Sequence, residues 1–252
     1  MIEFLALSSV VTMFIVWSVV GVKLMLLARR SRGFPEFALG LAFTLLGGLG
    51  YPLVIATPYL NGAAGALAGL LSIVCLSSGQ FLLCCFTARV FRPGVLWARG
   101  IVALVGVALV VQAVGLLHSG MRGMENEGGF AAASPWIALA LAIAFVNYGW
   151  TAIESLRYYD KTRRQAALGL ADPVTCNRFL LWGLVGSGSA LAITLDGIFL
   201  AIGHPALIQF WTPLVDSLAG IANGVFLYLA FLAPRFYTQA IRRRFTAAHG
   251  EG

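Results

Sequence analysis

The sequence predicts an all-α fold, a single polytopic membrane domain that covers residues 1–252 with seven transmembrane helices. Apolar runs of about 20 residues, the length that crosses a bilayer core, recur along the whole chain. Only 11% of the residues are charged, against about 25% in a typical soluble domain. The mean hydropathy of +0.88 agrees. These observations leave no room for a separate soluble catalytic or nucleic-acid-binding domain.

Helix start and stop signals divide the chain into spans. Span 1 ends in the basic pair Arg29 and Arg30, and Pro35 suits the first turn of span 2. The glycine-rich run at 47–52 predicts a thinned and kinked helix in span 2. Span 3 ends before Pro93. The seven predicted spans cover about residues 4–27, 36–60, 63–90, 95–117, 136–158, 177–202 and 207–232.

The second half of the chain has similar signals. A polar loop at 118–134 is expected after span 4, and Ser134 followed by Pro135 resembles an N-cap and a first-turn proline for span 5. A glycine-histidine-proline turn at 203–205 separates spans 6 and 7, and Pro234 begins a basic tail. Span 5 is expected to continue past the membrane surface.

The charge distribution predicts the orientation. The connections after spans 1, 3 and 5 and the tail are rich in arginine, whereas the connections after spans 2 and 6 contain no lysine or arginine. The positive-inside rule then places the N-terminus outside and the C-terminus in the cytoplasm of a cell-membrane protein. The net charge of +7 comes from these short clusters, so we expect the lipid bilayer, and no nucleic acid, as their partner.

The loops on either side of span 4 resemble one another. Basic residues and then a proline precede both span 2 and span 6, and each of these spans has a proline near its end, Pro58 and Pro205. With seven spans, spans 1–3 and 5–7 have the same orientation. The pattern permits a parallel three-one-three pseudo-repeat, with the ordinary similarity of short membrane loops as the alternative.

Two aspartates in consecutive apolar spans are the strongest indication of a functional site in the sequence. A charged side chain at the centre of a membrane helix costs roughly 2.5–3.5 kcal/mol on insertion scales. Asp196 and Asp216 both fall about 10–14 Å below the outer surface, and Tyr51, Asn147 and Tyr148 fall at similar or slightly greater depth. We expect an outward-opening polar pocket for a cation, a proton or an amine-bearing ligand. The alternative is that the aspartates only join helices through hydrogen bonds.

Two further polar groups extend this picture towards the cytoplasm. Asn223, seven residues after Asp216 on the same helix face, either extends a polar track or bonds a neighbouring helix. Glu154 is expected to pair locally with Arg157. Arg157, Arg163 and Arg164 belong to a basic connection that is either a docking surface for a cytoplasmic protein or a membrane-surface anchor.

Several function classes lack the residues they need. The chain has three histidines, and the predicted topology puts none of them inside the membrane, which disfavours bis-histidine haem and multi-histidine zinc sites. No GxSxG, HExxH or Walker-type motif is present. We therefore expect no enzyme activity, no cofactor and no metal site.

The seven-span, outside-to-inside plan resembles that of rhodopsins and G-protein-coupled receptors, but the resemblance is topological. Microbial rhodopsins carry a Schiff-base lysine four residues after an aspartate of helix 7, where this chain has Gly220. The arginine motif and the NPxxY motif of the receptors are also missing. Covalent retinal is therefore not expected.

Three functional hypotheses follow. The first is a receptor-like sensor that binds a small ligand or ion in its outer half and signals to a cytoplasmic partner. The second is a small-solute or ion transporter that uses the acidic pair for coupling. The third is a structural or assembly subunit without a ligand.

Overall fold

A computed structural model describes residues 2–120, 127–203 and 210–249. Within these residues all regular structure is helical, and seven helices are long and apolar enough to cross a membrane. The protein is therefore a multi-pass membrane protein, as predicted. The α-helices are α1 (Ile2–Ser31), α2 (Phe34–Phe43), α3 (Tyr51–Ala56), α4 (Gly62–Phe91), α5 (Leu96–Gly120), α6 (Glu127–Ala167), α7 (Pro173–Ile202), α8 (Thr212–Phe231) and α9 (Arg235–His249).

The second span is an irregular helix at its glycine-rich run. A π-helical segment, Thr44–Gly50, joins α2 to α3, and a 3₁₀ turn, Thr57–Tyr59, ends the span. A Cβ atom on Gly47 would lie 2.5 Å from the Cβ atom of Trp17, so this close approach to α1 requires a glycine. Tyr51 lies directly after this segment, and π-helical turns are often found at functional sites.

Two boundaries in the second half of the chain were predicted incorrectly. Within the expected loop at 118–134, residues 118–120 and 127–134 are helical, since α5 reaches Gly120 and α6 begins at Glu127, and residues 121–126 lie outside the described part of the chain. Ser134 is therefore not an N-cap, and Pro135 lies inside α6. The preceding alanines favour helix, and membrane helices tolerate an internal proline. The start predicted for span 7 at residue 207 lies outside the described residues.

A ninth helix was missed because the tail is too polar to cross a membrane. Helix α9 is amphipathic and packs against α7. The Asn177 amide Nδ2 donates to the Tyr237 hydroxyl at 3.0 Å, and Arg242 lies 3.6 Å from the Asp172 carboxylate. A basic amphipathic helix of this type is suited to the membrane surface.

The seven membrane helices form a closed ring. Helix α1 packs against α2 and α8, α2 packs against α4, and α4, α5, α6, α7 and α8 follow in order. Helix α4 also contacts α6, which leaves α5 on the periphery. Successive spans alternate in direction, so α1, α4, α6 and α8 end where α2, α5 and α7 begin. We call this the arginine-rich end, because the described arginines cluster there.

Aromatic side chains fill the ring in the half nearer the arginine-rich end. The Phe43 ring makes edge-to-face contacts with Trp17, Trp182 and Phe231 at centroid distances of 5.2, 5.6 and 6.1 Å. Aromatic pairs of this geometry contribute about 0.5–1.5 kcal/mol each beyond burial. Phe43 and Trp17 are almost fully buried. The interior is therefore closed by packed rings in this half of the membrane.

Candidate functional site

The two membrane aspartates lie side by side. Asp196 is about 10 Å from the end of α7, and Asp216 is about 6 Å from the start of α8, both at the arginine-poor end. Their side chains lie close enough to interact with each other, and the Thr212 side chain also lies near Asp196. The other oxygen of Asp196, Oδ1, is buried and has no hydrogen-bond partner among the described residues.

Two tyrosines connect this acidic pair to the opposite side of the ring. The Tyr51 hydroxyl, at the end of the π-helical segment, lies within electrostatic range of both aspartates. Tyr148 on α6 is within range of Tyr51 and close enough to Gln80 on α4 for a hydrogen bond. The structure therefore brings four residues into one polar cluster: Asp196, Asp216, Tyr51 and Tyr148. The sequence had predicted only that they lie at similar depths in the membrane.

Asn147 lies at the far edge of this cluster. Its Nδ2 atom donates to the Gln80 side-chain Oε1 at 2.8 Å and to the Gln80 backbone oxygen at 3.0 Å. Asn147 is 1% exposed, so these bonds are made away from water and lock α4 to α6. Asn147 thus bonds to α4 rather than to an aspartate.

Asn223 also makes an interhelical bond. Its Nδ2 atom donates to the Ser189 hydroxyl at 2.9 Å, which joins α8 to α7. Asn223, like Asn147, is therefore bonded to a neighbouring helix rather than to an aspartate.

A cavity near the acidic pair does not include either aspartate. It has a volume of about 760 Å³ and lies between α6 and α7, where Phe145, Ile193 and Leu200 make its walls apolar. Thr194 is its one side chain with a hydroxyl. The acidic pair itself is not deeply buried, since Asp196 is half-buried and Asp216 is exposed.

A second charged group is buried near the arginine-rich end. Glu154 on α6 is 2% exposed and accepts a hydrogen bond from Arg92 Nε at 2.9 Å, while Arg157 Nη1 lies 3.6 Å from the same oxygen. The hydrogen bond to Glu154 raises the pKa of the Arg92 guanidinium, which keeps it charged. The predicted local pair with Arg157 is confirmed, but the shorter contact crosses from the end of α4.

Two threonines lie between these groups on the α4–α6 interface. Thr87 Oγ1 and Thr151 Oγ1 are 2.8 Å apart and fully buried. Thr87 Oγ1 already donates to the Leu83 backbone oxygen at 3.0 Å, so the Thr151 hydroxyl donates to Thr87. Buried polar contacts therefore recur along α6 from Asn147 through Thr151 to Glu154.

We expect Thr87→Val to destabilise the protein by about 1 kcal/mol, because the buried Thr151 hydroxyl then loses its hydrogen-bond acceptor. The double variant with Thr151→Val should cost little more than the single variant, since both hydroxyls are then gone. Equilibrium unfolding of the two single variants and the double variant measures the coupling. Thr194→Val, at an exposed hydroxyl bonded only within its own helix, is the matched control. Additive costs for the two threonines would contradict the assignment.

The predicted docking arginines lie where α6 continues past the membrane. The helix runs to Ala167, as the sequence suggested, and Arg157, Arg163 and Arg164 are all exposed on it. Arg157 is partly engaged by Glu154, whereas Arg163 and Arg164 project from the last two turns.

No protein-family model, characterised protein or solved structure is significantly similar to this chain. Within the residues that the structure describes, no group of three or more histidine, cysteine, aspartate or glutamate side chains could hold a metal ion.

Proposed function

We propose that this protein is a membrane sensor that takes up a proton or a small cation at Asp196 and Asp216 and signals to a cytoplasmic partner. The juxtaposition of the two carboxyl groups is the observation that carries the proposal. Two carboxylates this close within membrane-spanning helices repel strongly, so a proton or a cation between them is favoured. The unpartnered Oδ1 atom of Asp196 supplies a free acceptor for it.

The proposed orientation places the acidic pair in the outer half, with the N-terminus outside and the arginine-rich end in the cytoplasm. The aromatic cluster around Phe43 packs the cytoplasmic half, which supports a sensor over an open channel. The contact between the aspartates argues against a purely structural role, for which each would be expected to bond a different neighbour.

Helix α6 is the element best placed to pass the change on. It carries Tyr148 beside the acidic cluster, Glu154 at the arginine-rich end, and the exposed Arg163 and Arg164 beyond the membrane. In the proposed mechanism, neutralisation of the acidic pair alters the contacts of Tyr51 and Tyr148, and α6 shifts against α4. Arg157, Arg163 and Arg164 then present an altered surface to an acidic partner protein.

The test is the thermal stability of purified protein over a range of pH and in the presence of sodium, potassium or ammonium. A cation at about 100 times its Kd should raise the melting temperature of the wild type by roughly 5–10 °C. Asp196→Asn and Asp216→Asn should abolish that rise. Asp160→Asn, an identical change at an exposed site on α6, should keep it. A rise that persists in both membrane variants would disprove the site.

A coupled transporter is the second candidate, and the interrupted span 2 favours it. The π-helical segment Thr44–Gly50 ends at Tyr51, so a local change of helical register there would move a residue of the cluster. Proton or cation flux into liposomes, lost in Asp216→Asn, would establish transport. Cation-dependent stability without flux would favour the sensor.

A further inference from the structure

We propose that a groove between α4 and α5 at the arginine-rich end binds the phosphate headgroup of an anionic membrane lipid. The groove has a volume of about 410 Å³, and Arg89, Arg92 and Arg99 all line it. It is separate from the acidic pair, which lies towards the opposite end of the bundle. The proposal does not depend on the sensor function.

The turn between α4 and α5 brings these arginines together. Gly94 adopts a φ of +78°, which favours glycine, and the Val95 backbone N–H donates to the Arg92 oxygen at 3.4 Å. Helix α5 then begins at Leu96. This tight reversal places Arg89 and Arg92 at the end of one helix beside Arg99 in the first turn of the next. The positive end of the α5 dipole adds to the same potential.

The charge in the groove is only partly neutralised by the protein. Arg92 is held by Glu154, and its guanidinium lies 5.7 Å from the centre of the Trp97 ring. Arg89 and Arg99 are exposed, and neither forms an ion pair with a carboxylate among the described side chains. Guanidinium groups match the oxygens of a phosphate in geometry as well as charge. The groove is therefore complementary to an anion.

The rest of the groove is apolar, which favours a lipid over a free anion. Phe34 forms one wall and lies beneath Arg89, with 5.8 Å between the guanidinium and the ring centre. Ala88 and Val102 continue the surface along α4 and α5 towards the membrane interior. A lipid whose phosphate is held by the arginines would place its acyl chains along these side chains. Basic pockets between membrane helices are known to bind lipid headgroups in this way.

The experiment measures lipid binding to the full-length protein by native mass spectrometry from detergent, with phosphatidylglycerol and phosphatidylcholine as probes. Phosphatidylglycerol should bind the wild type more tightly than phosphatidylcholine. Arg89→Gln combined with Arg99→Gln should weaken phosphatidylglycerol binding roughly 30-fold, as expected for two arginines near a membrane surface. The matched control is Arg163→Gln combined with Arg164→Gln, which removes the same charge away from the groove.

Three results would overturn the proposal. Equal weakening by the control pair would show non-specific attraction to basic charge. Equal binding of the two lipids would show that the headgroup charge is not recognised. Stabilisation by inorganic phosphate alone, lost in the Arg89 and Arg99 variant and matching the effect of phosphatidylglycerol, would identify a soluble-anion site instead. Melting temperatures in neutral lipid, unchanged in both pairs, confirm that the variants are folded.

Discussion

Gly186→Ala is expected to destabilise the protein by about 2–3 kcal/mol, at the upper end of the range for overpacked sites. A Cβ atom at Gly186 on α7 would lie 2.9 Å from both the Ala152 backbone nitrogen and the Tyr148 backbone oxygen of α6. Because these obstacles are backbone atoms, no rotamer change relieves the clash. The two helices must move apart, and these are the helices that carry Asp196 and Tyr148.

The matched control is Gly197→Ala on the same helix. A Cβ atom there would meet no atom within 4 Å, so the change should be neutral or stabilise the helix by up to about 1 kcal/mol. Equilibrium unfolding of both variants measures the difference. We further expect Gly186→Ala to weaken the response of the melting temperature to cations, because it displaces Tyr148. Equal stability of the two variants would contradict the close α6–α7 packing.

Arg92→Gln is expected to lower the melting temperature by several degrees. Glu154 is almost fully buried, and without Arg92 its carboxylate keeps only the longer contact to Arg157. Removal of one partner of a buried ion pair is strongly destabilising because the other charge is left uncompensated. The double variant Arg92→Gln with Glu154→Gln should recover much of the loss, since neither charge then remains.

Arg157→Gln is the control for this prediction. Its side chain is 64% exposed and 3.6 Å from Glu154, so the pair resembles a surface salt bridge of little net worth. Melting curves of the three variants separate the two contacts. If Arg157→Gln were as harmful as Arg92→Gln, the pairing inferred for Glu154 would be wrong.

The sequence predicted the number and order of the membrane helices well, because a hydrophobic run must match the bilayer thickness whatever packs against it. An irregular helix in span 2 was also predictable, since Gly47 and Pro52 are both unfavourable in a regular helix. The helical start of α6 at Glu127 was not predictable, because an alanine-rich helix and a loop differ little in hydropathy. Helix α9 was missed because only its amphipathic pattern, and not its hydropathy, marks it.

For the candidate site, the sequence predicted only how deep its residues lie in the membrane. The positions of Asp196 and Asp216 along their helices gave similar heights, but the rotation that turns them towards each other depends on how α7 and α8 pack. The same limit applies to Glu154, whose local partner Arg157 follows from spacing. Arg92 lies 62 residues away in sequence, and no spacing rule connects the two.

Infrared difference spectroscopy of the carboxyl groups shows whether Asp196 and Asp216 take up the ion. A sample reconstituted in lipid is exchanged between buffers with and without the stabilising cation, or between two pH values. If the aspartates take up the ion, a carboxyl band changes on exchange in the wild type and in Asp160→Asn. The band should be absent or strongly altered in Asp196→Asn and in Asp216→Asn. A difference spectrum that is the same in the wild type and in both membrane variants would show that neither aspartate takes up the ion.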